Sequence, residues 1–537
     1  MDARENVDEV LAAPAPDGVW ISRFSPAELY ERARAVDPGQ PLAGLTFAVK
    51  DNIDVAGLPT TAGCPDFAYR PERNAPVVQR LVDAGAIVVG KTNLDQFATG
   101  LTGARSPYGA PESVFGGGLI SGGSSSGSAV AVANGSVHFS LGTDTAGSGR
   151  VPAALNGIVG IKPTRGLLST LGVVPACRSL DCVSVFTREL PLADRVMRVA
   201  RGFVPDDPWS RKAPTAARPI AQPRVGVAEG LDFFGDSGQE KAYGRFAGAT
   251  TVDVGPLLEA GDLLYRGPWV AERLADLGEF LATRPGSVLP VTRRVLETGL
   301  GFTAADAFRA QHRLRELRAA AERMWDLIDV LVLPTIGTTF THTEIAADPI
   351  GRNLILGRYT QFANLLDMAA VTVPNGFTED GRPASLTLFG PAFSDDMLMA
   401  LAGSLRTAAD LMTLAVVGLH LSGEPRNGEL LERGGTRLGT ARTAALYRMY
   451  ELPSGAPGLV RVDTGGAAVE IELWQLPAAT VGGFLAGIPA PLSLGRLVLE
   501  DGAEVTGFLC EAYAASGARD ITASGGWRNH RLKGSDS

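Results

Sequence analysis

The stretch from Gly116 to Ser128, GGGLISGGSSSGS, puts six glycines and five serines into thirteen positions, and it constrains everything around it. Such composition ordinarily makes a flexible linker. Here it runs without a break into AVAVANG and the strand-like VHFSLGTDTAGSGR, and a floppy linker inside an α/β core would carry a heavy entropic cost. The glycines are therefore expected to serve backbone geometry, through positive φ or close approach. Glycine fills 65 of 537 positions, with 17 in residues 100–172 and 20 in residues 416–537; background usage is about 7%. The excess is two local features.

A chain of 537 residues exceeds the roughly 150 residues of an average domain several-fold, which predicts more than one compact unit. Four segments are expected: a helical N-terminal arm over 1–40, a main domain over 41–408, a linker over 409–415 and a β-rich domain over 416–532. In the main domain, PVVQRLVDAG followed by AIVVGKTN reads as helix then strand, the order of an α/β unit. LPTIGTTF (333–340), AAVTVPNGF (369–377) and SLTLFG (385–390) read as further strands. The five prolines of 205–223 mark an irregular excursion.

Net charge is −9, which disfavours a nucleic-acid partner. No run of about 18 uncharged apolar residues suggests a membrane span, and the acidic N-terminus lacks a secretory h-region, so a cytoplasmic chain is expected. Four scattered cysteines and five scattered histidines supply no zinc motif, and no metal or cofactor is called for. Nucleotide loops fit poorly. Gly122 and Gly127 have P-loop spacing, but Ser128 stands where Lys is required, and Pro152 takes the third glycine position of a dinucleotide fingerprint.

Nucleophilic hydrolysis fits better. Ser148 lies among small residues whose backbone amides, from Thr145, Ala146, Gly147 and Ser148, could form an oxyanion hole. With no suitable histidine, the base would be a neutral lysine acting through a second hydroxyl, and Lys50 and Ser124 could provide that relay. Lysine serves only if burial lowers its pKa by several units.

GLTFAVKDNIDVAG (44–57), SGGSSSGSAVAVA (121–133) and GTDTAGSGRVPAALNGIVGIKPT (142–164) resemble the amidase signature family, with 74 positions from Lys50 to Ser124 and 24 from Ser124 to Ser148. The resemblance implies an α/β/α fold around a large mixed sheet. It also implies a Ser148, cis-Ser124, Lys50 triad, with Gly122 and Gly123 allowing the cis geometry and counted among the substrate-binding residues, and Ser125 and Asp144 in support. LLYRGPWVAERL (263–274) and LGRYTQFANLLDMAAVTVP (356–374) further resemble the allophanate hydrolases of that family, which implies that Tyr265 and Arg273 meet a substrate carboxylate. Residues 416–532 resemble the extra domain of those enzymes, similar in fold to γ-glutamylcyclotransferase and assigned decarboxylation of the first product. His420 is the candidate there. The implied reaction releases ammonia from allophanate and leaves N-carboxycarbamate, which loses carbon dioxide. A biotin-dependent urea carboxylase is the implied functional partner, and a homodimer is expected. The alternatives are an amidase of the same family acting on aliphatic or aryl amides, the glutaminase component of a tRNA amidotransferase, or a non-catalytic scaffold.

Overall fold

The computed structural model describes residues 3–13, 16–214, 222–244, 246, 248–409, 411–431, 433, 435–477, 481, 483–485 and 487–534. The chain divides into two compact units, Met1–Gly403 and Ser404–Ser537.

The first unit is built on an eleven-stranded mixed sheet. Its strands are β1 (Trp20–Arg23), β2 (Thr46–Lys50), β3 (Ile87–Thr92), β4 (Phe139–Asp144), β5 (Val159–Lys162), β6 (Cys182–Thr187), β7 (Val225–Val227), β8 (Thr250–Thr251), β9 (Val330–Pro334), β10 (Ala369–Phe377) and β11 (Pro383–Gly390). They lie in the order β1-β3-β2-β4-β6-β5-β10-β11-β9-β7-β8. Strand β2 runs parallel to both β3 and β4, whereas β4, β5, β6, β10 and β11 pair antiparallel. All residues of β2, β3 and β4 are buried, polar ones included, as befits strands covered on both faces. The large α/β mixed sheet expected from the family resemblance is therefore present.

Between β3 and β4 the helix Ser126–Ala133 is buried from Ser126 to Val132. Its side chains are small enough to let it sink into the sheet: a Cβ on Gly127 would strike the Val19 carbonyl. The Gly/Ser segment is thus the entry to a buried helix and not a linker.

Three expectations need correction. The N-terminal stretch is not purely helical: besides the helices Ala3–Ala12 and Pro26–Arg34 it supplies β1, which pairs antiparallel with β3. Ser25 and Glu28 do form a reciprocal capping box on the second helix. LPTIGTTF contributes only its first two residues to β9, because VLVLP just upstream is the fully buried run that takes the sheet position. Residues 409–415 are mostly strand β12 (Leu411–Val416), since Leu414, Ala415 and Val416 enter the core of the second unit. Of the proline-rich excursion, 215–221 lie outside the described residues.

The second unit adds β13 (Thr436–Arg442), β14 (Tyr447–Glu451), β15 (Pro457–Arg461), β16 (Glu470–Pro477), β17 (Leu492–Val498), β18 (Glu504–Cys510) and β19 (Arg519–Asp520). They form a five-stranded sheet, β13-β16-β12-β18-β17, and a three-stranded one, β15-β14-β19. Trp474, Phe484, Phe508 and Trp527 join the aliphatic core.

Candidate active site

Lys50 ends β2, where the parallel neighbour β4 brings Thr143 alongside. Its ammonium is fully buried, with Nζ 2.8 Å from Ser124 Oγ and 2.7 Å from Thr143 Oγ1. Burial pulls the lysine pKa down to about 7, against the opposing pull of Asp95, Asp181 and Asp144. A lysine neutral in part near pH 7 can accept a proton through its lone pair. Ser125 donates to the Thr143 carbonyl and accepts from the Thr143 amide, so it braces the strand end that holds Lys50.

The peptide bond between Gly123 and Ser124 is cis. The Gly123 amide donates to the Leu101 carbonyl, and the Ser124 carbonyl accepts from the Asp95 amide. Gly123 has no room for a side chain, because a Cβ there would run into the Asp95 carboxylate. Asp95 is itself buried and accepts from the amides of Gly103 and Arg105. Gly122 holds φ at +70° with Pro152 and Leu155 closing over it.

Ser148 lies one turn before the helix Val151–Leu155. Its loop is pinned from beneath by a fully buried ion pair: Arg150 Nε and Nη2 donate to the two Asp144 oxygens at 2.9 and 2.8 Å. Asp144 also accepts from the Gly147 and Gly149 amides. Burial works against its charge, but Arg150 and these donors hold its carboxyl below the ordinary carboxylate range. The guanidinium further reaches the Thr360 carbonyl and Asn364 Oδ1.

This pinning corrects the expected oxyanion hole. The Gly147 amide is engaged by Asp144, which leaves the amides of Thr145, Ala146 and Ser148, none hydrogen-bonded among the described residues. The Ser148 hydroxyl is likewise without a partner there, and it is not among the sealed, orphaned polar atoms. Unengaged backbone amides are the donors a tetrahedral oxyanion would need, and an unengaged hydroxyl suits an attacking nucleophile. The Thr145 hydroxyl donates to Asp181, whose carboxyl burial pushes up to about 6, moderated by Thr145, Cys177 and Arg273.

Arg273, on the helix Trp269–Thr283, is buried and donates from Nη1 to Thr99 Oγ1 at 2.7 Å. Arg105 approaches the same residue, donating from Nη1 to the Thr99 carbonyl at 3.0 Å. Tyr265 closes the helix Gly255–Tyr265 and packs, part-buried, against the cluster that contains Ala146 and Leu264. The Gly123 amide, engaged by Leu101, is not free to bind substrate. Thr99, Asp95, Arg105, Thr143 and Asp181 escaped the sequence reading; only the Asp144/Arg150 spacing of GTDTAGSGR carried a local hint of the supporting shell.

In the second unit His420 is buried between rings, 4.9 Å from the Phe508 centroid in a stacked arrangement and 5.3 Å from that of Phe484. Its Nε2 lies 3.4 Å from Glu429 Oε2, and burial lowers its pKa. The unit's polar centre is Glu472, unremarked in the sequence. Its carboxylate accepts from the amide and hydroxyl of Ser422 and from Trp474 Nε1, and pairs with Arg437 and Arg528.

Among the described residues, no group of three or more His, Cys, Asp or Glu side chains could hold a metal, and no helix is long and apolar enough to cross a membrane.

Residues 17–235 and 265–399 match the Amidase family, and residues 412–532 match the allophanate hydrolase C-terminal domain. The urea amidolyase of Lachancea kluyveri is 40% identical over 96% of this chain and 31% of its own length. The chain thus spans about a third of the curated urea amidolyases it matches. A glutamyl-tRNA(Gln) amidotransferase component of Synechococcus sp. (strain RCC307) is 34% identical over 72% of this chain and 88% of its own. Among solved structures, selenomethionine-substituted Kluyveromyces lactis allophanate hydrolase superposes with a TM-score of 0.73 at 38% identity, covering 99% of this chain and 96% of that one.

Proposed function

The chain belongs to the Amidase family of hydrolases, and from that premise we propose that it hydrolyses allophanate. The observation that carries this reading is the second unit, which matches the allophanate hydrolase C-terminal domain across residues 412–532. The likeness to the Kluyveromyces lactis enzyme over nearly the whole of both chains supports it.

In the proposed mechanism Ser148 attacks the terminal amide carbonyl. Its proton passes to Ser124, whose own proton passes to Lys50 Nζ, 2.8 Å away. The amides of Thr145, Ala146 and Ser148 stabilise the oxyanion. Collapse breaks the C–N bond, and Lys50, again through Ser124, returns a proton to the departing ammonia. Water then attacks the acyl-enzyme with the same relay as base, restoring Ser148 and releasing N-carboxycarbamate. The buried guanidinium of Arg273 forms a substrate arm of the site, supplying the charge that a substrate carboxylate requires, since guanidinium and carboxylate make paired charge-assisted bonds, and Tyr265, at the end of the preceding helix, is assigned to the same arm. Loss of carbon dioxide from the product is assigned to the second unit. The substrate's source is taken to be a biotin-dependent urea carboxylase.

The test is ammonia release from allophanate beside malonamide, acetamide and glutamine. A site built around a carboxylate should favour allophanate over the neutral amides by at least about 10²-fold in kcat/KM. Preference for a neutral amide would overturn the substrate, and preference for glutamine would favour the function named for the amidotransferase relatives.

A further inference from the structure

The motif that supplies Tyr265 and Arg273 has a second face. Arg273 turns inward to Thr99, but Pro268, Trp269, Ala271 and Glu272 line a separate, open cavity of about 590 Å³, lined also by Arg165, Ser179 and Leu180, the helix Ala304–Trp325 and Leu365. That volume suits a small organic ligand. Trp269, Leu314 and Leu365 form apolar walls, while Arg165 and Arg318 bring two guanidinium groups to the same space.

The charges in this cavity do not balance. Glu272 is in the wall, but its oxygens already accept from the Ser179 amide, the Ser179 hydroxyl and the Cys177 thiol. Asp367 is shared between Arg165 and Arg211. Arg318 makes no ion pair among the described residues: Nη2 donates to the Leu365 carbonyl, Nε is sealed without a partner, and Nη1 donates to nothing. Burial followed by repulsion from Arg165 pulls its pKa down, only partly opposed by Asp367 and Glu322. A half-buried guanidinium with an open donor, a second cation beside it and an indole wall make a pocket that lacks one anion.

We propose that this cavity is a binding site, distinct from the Ser148 centre, for an organic carboxylate with a compact apolar body. The carboxylate meets Arg318 and Arg165, and the apolar body lies against Trp269 and Leu314. Glu272 and Arg273 are consecutive on one helix, so the occupied cavity and the substrate arm share a rigid support.

Benzoate is the probe, benzamide its neutral counterpart, and Trp269 the reporter. Benzoate should change tryptophan fluorescence saturably and benzamide should not. Trp269→Phe identifies the signal among the six tryptophans. Arg318→Gln should weaken benzoate at least tenfold. Ala307→Trp, which fills the cavity from the helix Ala304–Trp325 and keeps Arg318, should abolish binding, so the conclusion does not rest on one variant folding. Arg273→Gln should leave benzoate affinity unchanged. Equal response to benzamide, undiminished benzoate binding in both cavity variants, or loss in Arg273→Gln, which would move the ligand to the substrate arm, would each overturn the proposal.

Discussion

The two glycine-rich regions of this molecule look alike in composition and differ in cause. In the first, a Cβ at Gly103, Gly123, Gly127, Gly142, Gly147 or Gly149 would run into backbone or buried side chains of neighbouring segments. In the second unit, Gly423, Gly428, Gly439, Gly455, Gly502 and Gly517 have nothing within 4 Å of the position a Cβ would take. Some of these open positions are turns: Gly502, at φ +85°, closes the hairpin between β17 and β18. The division is not absolute, since Gly116 to Gly118 are open while Gly418, Gly435, Gly465, Gly466, Gly495 and Gly507 of the second unit are crowded. Its lesson is that crowding, and not glycine content, records where segments distant in the chain pack closely, as they do around Ser124 and Ser148.

If convergence around Ser148 is the point of the crowding, the largest effect should come from its smallest change. Ser148→Ala removes a hydroxyl that makes no hydrogen bond among the described residues, so melting temperature should hold while ammonia release falls by at least about 10³-fold. Lys50→Met should do nearly the same to activity. Substantial ammonia release by either variant would mean that the reaction does not run through Ser148 and Lys50.

Next in size are the glycines themselves. Gly123→Ala should cost about 3 kcal/mol or more, because the neighbours it meets are buried and cannot give way, and activity should fall with it. Gly502→Ala should cost only about 1 kcal/mol for its left-handed backbone, and Gly502→Asn less still, since asparagine tolerates that region. Chemical denaturation of the three variants decides the matter. Similar losses for Gly123→Ala and Gly502→Ala would erase the distinction.

The second unit has its own convergence, at Glu472. Burial opposes its charge, but Ser422, Arg528 and Trp474 together hold its carboxyl down to about 2. A depressed carboxylate stabilises the fold fully above its unfolded pKa and loses that contribution as pH falls through the folded one. Glu472 should therefore support the second unit above about pH 4.5 and lose effect toward pH 2. Glu472→Gln should destabilise this unit by about 2 kcal/mol and leave ammonia release intact. A matched loss of ammonia release would tie the two centres together.

How much of this was legible follows from the same contrast. Lys50, Ser124 and Ser148 stand in short motifs, and each motif's local text also sets its strand, turn or helix. Thr143 beside Lys50, Asp95 beneath Ser124 and Thr99 beneath Arg273 are brought in by strand order and by loops distant in the chain, 93 residues away for Thr143 and 174 for Thr99, which no local period encodes. β1 escaped because four residues are too few to show alternation, and Glu472 because Glu470 and Glu472 alternate with apolar residues in VEIELWQL, where an acid reads as a solvent-facing strand position. His420 was singled out for its rarity, yet stacking on Phe508 already accounts for its burial.

The smallest expected effect is a slope, and it separates the two buried bases. As the proposed base Lys50 would work only when neutral, and burial lowers its pKa to about 7. Below that value kcat/KM for ammonia release should fall tenfold per pH unit, about 1.4 kcal/mol for each, and above it should level off. The sign follows from the role: a general base gains activity as it loses its proton, and lowered pKa moves that gain down from the alkaline range of a solvated lysine. His420, whose pKa burial also lowers, belongs to the second unit, so His420→Phe, which keeps the ring stack, should leave the limb where it is. A limb absent between pH 5.5 and 7.5, or one that moves in His420→Phe, would mean that the proton measured does not sit on Lys50.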